Sequence, residues 1–139
     1  MRVLEVGCGN TPVPYATVCG DREMKGCPDR RNNVPIFDVK ALPNFTLLDC
    51  LHLPFQEDSF DLVVARNLLE HLPYPLDALK EWSRVAPRLH VVVPDLSSIR
   101  QVGCEHPTHL YSWSYISLKN LLRLVYPNVV VKQTNDAVV

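Results

Sequence analysis

The sequence predicts one α/β domain, a mostly parallel sheet covered by helices on both faces, and three observations carry that prediction. Short runs such as Val3–Val6, Asp61–Ala65 and His90–Val93 are nearly all apolar, as strands buried on both faces are. Longer stretches between them place apolar residues at helical spacing instead. The first strand runs straight into a Gly7-Cys8-Gly9 turn, a place where a ligand can lie against bare backbone. The length of 139 residues, 47% of them hydrophobic, suits a single unit spanning 1–139. A domain of that size buries roughly 68–70% of its unfolded surface and needs neither disulfide nor metal to fold.

Taken in order, Val3–Val6 is the first strand, and Glu5 inside it is an acid that something at the strand's end must use. Thr11–Pro14 carries two prolines where a helix would normally begin, so the first helix is expected to be shortened to a vestige. Tyr15–Cys19 reads as the second strand, closed by Gly20-Asp21, and Arg22–Asn33 as a polar loop. Phe45–Leu48 reads as a third strand ending at Asp49. Asp61–Ala65 is the fourth, followed by a helical turn at Leu68–Leu72. Leu76, Leu79, Trp82 and Val85 share one side of a helix bounded by Pro75 and Pro87. His90–Val93 is the fifth strand, stopped by Pro94. Leu118, Leu121, Leu122 and Val125 follow the i, i+3, i+4, i+7 pattern of an amphipathic helix ended by Pro127. Val129–Lys132 reads as a last strand, and Asn135-Asp136 as a turn into a clipped final stub.

Gross properties exclude some classes. A net charge of −1 argues against a nucleic-acid module running on a strong basic field. No apolar run approaches the ~20 residues of a membrane span, and no signal peptide is expected before the first strand. The odd count of 5 cysteines without a regular framework suggests a reduced, cytoplasmic protein. Cys19 and Cys27 are expected to be unpaired. Arg22, Lys25, Arg30 and Arg31 cluster in one loop and read as a solvated loop rather than an RNA-facing patch, because no aromatic residues are interleaved for stacking.

In an open parallel sheet, ligands bind beyond the carboxyl ends of the strands. Those ends carry Gly7-Cys8-Gly9, Asp21, Asp49-Cys50 and Ala65-Arg66-Asn67. An acid after the second strand can accept both hydroxyls of a ribose, and one after the third can accept from an adenine amine. Together they describe a nucleoside site. Two acids compete for the ribose. Asp21 lies 14 positions after Gly7, against a usual interval of about 20, and Asp38 lies 31 after it. Asp21 is favoured, because it leaves 28 residues before Asp49 for a crossover, where Asp38 leaves 11.

Val3-Leu-Glu-Val-Gly-Cys-Gly9, Leu48-Asp-Cys-Leu-His-Leu-Pro-Phe55, Ser59-Phe-Asp-Leu-Val-Val64 and Leu69-Glu-His-Leu72 resemble, in order, the motifs of class I S-adenosylmethionine-dependent methyltransferases, the methyltransferase type 11 group in particular. Trp82-Ser-Arg-Val85 is similar to that group's helix before the fifth strand. The resemblance implies a Rossmann-like class I methyltransferase fold, S-adenosylmethionine as cofactor, and in-line transfer of its methyl group to an acceptor the sequence does not identify. It implies that Glu5, Gly7 and Gly9, with Cys8 and Asn10 beside them, cradle the methionine part. Asp21, next to Arg22, would hold the ribose, and Asp49 with the Cys50 and Leu51 backbone would frame the adenine. Arg66 and Asn67 would lie near the sulfonium. A dinucleotide site is the nearest rival, but it needs a helix N-terminus for its pyrophosphate, and Pro12 stands there.

His106 and His109 fall in a loop after the fifth strand and are the candidates for a catalytic base or an acceptor contact, beside a structural role. A metal pair with Cys104 ranks last, and no metal is expected. His71 is expected to fasten the turn after the fourth strand. Tyr111 and Trp113 either line the pocket or staple the last helix. The family's helical cap over the acceptor is not expected in this sequence. The alternative to an enzyme is therefore a methyltransferase-like module without activity of its own, completed by another subunit or a second copy.

Overall fold

The computed structural model describes residues 1–9, 11–22, 44–95, 108–133 and 137–138. Among the described residues, six strands form one sheet: β1 (Val3–Val6), β2 (Val18–Asp21), β3 (Phe45–Leu47), β4 (Leu62–Arg66), β5 (Leu89–Pro94) and β6 (Ala137–Val138). Their order across the sheet is β3-β2-β1-β4-β5-β6. The first five are parallel and β6 runs antiparallel to β5. The order reverses between β1 and β4, so the ends of these two strands flank the crevice where such sheets bind ligands.

A 3-10 turn, Leu69–His71, follows β4, and helix α1, Pro75–Val85, follows the turn. Pro75 occupies the first helical position, where its missing N–H is not needed. Ala78, Leu79, Trp82 and Val85 turn inward from α1. Helix α2, Tyr115–Arg123, opens on a capping box in which the Ser114 side chain accepts from Ser117 N–H and the Ser117 hydroxyl accepts from Ser114 N–H. Its Leu118 and Leu122 join Leu4, Val6, Val63, Ala65, Leu79, Trp82, Val91 and Val93 in one continuous core. Among the described residues, no helix is long and apolar enough to cross a membrane.

Two expectations about strands need correction. The second strand is Val18–Asp21, not Tyr15–Cys19. Ala16 N–H donates to the Val13 carbonyl in a turn, and Thr17 exchanges bonds with Val3, its N–H donating to the Val3 carbonyl and its hydroxyl accepting from Val3 N–H. Tyr15 is left exposed. The shift makes Asp21 the last residue of β2 rather than a loop residue after it. The second correction is at Val129–Lys132, which forms no strand, because the place beside β5 belongs to Ala137–Val138. The expected vestige of a first helix is a turn, with no helix over residues 11–17.

Candidate functional site

The Gly7-Cys8-Gly9 turn is bound to the strand beside it. Gly7 and Gly9 both take left-handed backbone, φ 65° and 53°. At Gly7 an added Cβ would also stand 2.8 Å from the Leu68 side chain. Cys8 N–H donates to the Gly20 carbonyl at 3.2 Å, and Gly9 N–H donates to Asp21 Oδ2 at 3.0 Å. The other Asp21 oxygen accepts from Arg22 N–H at 2.8 Å. A carboxylate offers about four lone-pair positions, so Asp21 keeps acceptor capacity for further donors. Gly20 is close-packed for a related reason, since a Cβ there would lie 2.3 Å from Leu48.

Glu5 is 1% exposed, and both of its oxygens are engaged. Oε1 accepts from Arg66 Nε at 2.8 Å, with Nη2 at 2.7 Å, and Oε2 accepts from Val13 N–H at 2.6 Å. Arg66 also donates to the Thr11 carbonyl at 2.5 Å. Glu5 thus ties β1, β4 and the 11–13 segment into one frame. Asn67 ends β4 in left-handed backbone at φ 50°, its N–H donating to the Val92 carbonyl.

Asp49 stands beyond β3, exposed, in a turn closed by its own side chain. Oδ1 accepts from Leu51 N–H at 2.9 Å, and Oδ2 lies 3.1 Å from His52 Nδ1. The Leu51 amide, and then His52, hold the Asp49 carboxyl below its ordinary range, so it stays an ionised acceptor. Burial pushes the Cys50 thiol up to about 11 and the Cys8 thiol higher still, which leaves both as inert fillers.

The sequence reading missed how this segment is held. Trp82 Nε1 donates to the Cys50 carbonyl at 2.9 Å, and Glu81 accepts from Leu53 N–H at 2.8 Å. Arg84 donates to the Leu53 and Phe55 carbonyls while pairing with Glu81. One face of α1 therefore clamps residues 50–55. The Glu81/Arg84 pair at i, i+3 was the available signal, but such pairs are commonplace on exposed helices.

Beyond β4, Glu70 is 1% exposed, and among the described residues neither carboxylate oxygen has a hydrogen-bond partner. Burial pushes its carboxyl up to about 7. His71 and His109 pack edge to face at 4.7 Å beside it, and Leu110 and Tyr111 N–H both donate to the Glu70 carbonyl. Tyr111 stacks on Trp113 at 5.5 Å and donates its hydroxyl to the Pro73 carbonyl. Asn10, Lys25, Cys27, Arg30, Arg31, Asp38, Cys104 and His106 lie outside the described residues.

The sheet order and the strand-end groups define an α/β domain of Rossmann-like methyltransferase architecture. A methyltransferase domain model matches residues 4–88, and the chain belongs to that family. It is 29% identical over 92 residues to methyltransferase GfsG of Streptomyces halstedii, covering 60% of this chain and 33% of the relative. It is 28% identical over 120 residues to a demethylmenaquinone methyltransferase of Bacillus pumilus, covering 79% of this chain and 51% of the relative. The chain thus spans a third to a half of the curated relatives it matches. Among solved structures, the PH0226 protein of Pyrococcus horikoshii superposes with a TM-score of 0.71 at 16% identity, over 99% of this chain and 78% of that one.

Proposed function

We propose that this domain binds S-adenosylmethionine and transfers its methyl group to an acceptor. The observation that carries the reading is the turn locked to Asp21, with the helix behind it replaced by a segment tied to Glu5. A dinucleotide site needs that helix for its pyrophosphate. A nucleoside whose other end is a zwitterionic amino acid does not.

The residues fit the cofactor. Asp21, at the end of β2, has lone pairs left for the two ribose hydroxyls. Asp49 is an ionised acceptor for an adenine amine, and the 50–53 backbone beside it is fixed by α1. Gly7 and Gly9 keep side chains off the surface where the amino-acid end would lie. When bound, S-adenosylmethionine supplies an electrophilic methyl group on a sulfonium sulfur. The chain's work is then mainly alignment in a site that excludes water, which alone lowers a barrier by several kcal/mol. Where the acceptor carries a proton, that proton must leave. On the acceptor side, the described residues offer the Glu70, His71 and His109 group for that task.

Titration calorimetry with S-adenosylhomocysteine tests the reading. The expected result is one site per chain, weakened about 10-fold or more by Asp21→Ala and by Asp49→Ala, as loss of a hydrogen bond to a charged group implies. Asp38→Ala should leave it unchanged. No binding by the folded wild type would overturn the reading.

A further inference from the structure

We propose that Glu70, His71 and His109 form a binding site for one divalent transition-metal ion, of which zinc is the reference case. One ligand atom from each of the three residues lies within 4.8 Å of the others. The Nε2 atoms of His71 and His109 each stand 4.0 Å from Glu70 Oε1. That separation is too wide for a hydrogen bond. It is close to what an ion needs, since bonds of about 2.0–2.2 Å place tetrahedral ligand atoms about 3.4 Å apart. Side-chain rotations would have to close the difference.

Two further features point to a cation. The first is the Glu70 carboxylate, buried to 1% exposure with no hydrogen-bond partner on either oxygen among the described residues. Such a group is costly unless something positive meets it. The second is the placement of the His71 ring. Its Nδ1 lies 3.1 Å from both the carbonyl and the hydroxyl oxygen of Thr108, which hold the ring from that side. The other ring nitrogen, Nε2, is on the side of Glu70. Metal-ligating histidines are commonly anchored through their second nitrogen. The Leu110 and Tyr111 bonds to the Glu70 carbonyl hold the His109 segment in register before any ion arrives.

Two histidines and one carboxylate match a common donor set for zinc and neighbouring divalent ions, with coordination positions left for water or an incoming oxygen. The cluster lies beyond the carboxyl ends of β4 and β5, on the same edge as Gly7–Gly9. If the methyl-transfer reading holds, a hydroxyl-bearing acceptor is the class such an ion would bind and acidify. The ion's binding does not depend on that reading.

The test uses the apoprotein, stripped with chelator and free of S-adenosylmethionine. Calorimetry with Zn2+ should show one ion per chain. Glu70→Gln and His109→Ala should each weaken it by more than the about 10–100-fold that changes outside the ligand set cost. Far-UV circular dichroism checks that both variants are folded. A second measurement needs no variant: Co2+ added to the wild type should give the weak visible bands of nitrogen and oxygen ligation. A strong thiolate charge-transfer band would place the ion on cysteines and overturn the proposal. So would binding unchanged in both folded variants, or no binding at all. Loss of S-adenosylhomocysteine binding with Zn2+ binding intact would instead count against the proposed function alone.

Discussion

Gly20 shows how closely the site is tied to single atoms. Its missing Cβ leaves room for the Leu48 side chain, and the Thr46 carbonyl stands 2.8 Å from where that Cβ would be. Leu48 precedes Asp49, and Gly20 precedes Asp21. Gly20→Ala should therefore destabilise the fold by about 1–3 kcal/mol through overpacking, measured by urea denaturation. Cys50 supports a pH prediction. Its thiol is raised to about 11 by burial, so in the native protein the reactive thiolate is scarce at pH 8. Peptide mapping after alkylation should find Cys50 slower to react than in denatured chain, with the rate climbing as pH rises towards 11. The folded pKa lies above the unfolded one, so the protonated thiol is what the fold favours. That contribution is present below the unfolded pKa and is lost as pH rises through the folded one.

At the level of elements, α1 fixes the segment that carries Asp49 and Cys50. Trp82→Phe keeps most of the ring's apolar volume and removes the N–H that reaches the Cys50 carbonyl. The expected loss is about 1 kcal/mol, read from the shift in the denaturation midpoint. The strands β1, β3, β4 and β5 and both helices were legible in the sequence, because buried Val/Leu runs and helical apolar spacing are local signals. The start of β2 was not. Thr17 and Val18 look alike to a strand propensity, and the bonds between Thr17 and Val3 decide where pairing begins. Val129–Lys132 misled for the converse reason, since a β-branched run forms a strand only when a sheet edge is open to it. In the site, the acids at the strand ends could be named from spacing. The Glu5–Arg66 pair, which joins residues 61 positions apart, and the isolation of Glu70 could not, since both depend on tertiary packing.

For the whole molecule, cofactor binding and stability should be linked. A ligand that binds only the folded state adds RT ln(1 + [L]/Kd), about 2.7 kcal/mol at 100 times Kd. For a domain of this size that corresponds to a rise in Tm of roughly 10 °C. Differential scanning calorimetry with S-adenosylhomocysteine should show that rise. Asp49→Ala should lose most of it at the same ligand concentration.

Glu5 has a further consequence, which concerns the chain before it is folded. β1 lies at the centre of the sheet, and one of its two neighbours, β4, is made some 60 residues later in synthesis. Until β4 emerges, the Val3-Leu4-Glu5-Val6 edge that pairs with it lacks its native neighbour. A glutamate in the middle of that run interrupts what would otherwise be an apolar, strongly β-prone segment, and such gatekeepers keep nascent strands from pairing with other chains. Arg66 arrives with the strand that ends the exposure. The same residue would thus guard the strand during synthesis, and it braces the crevice afterwards.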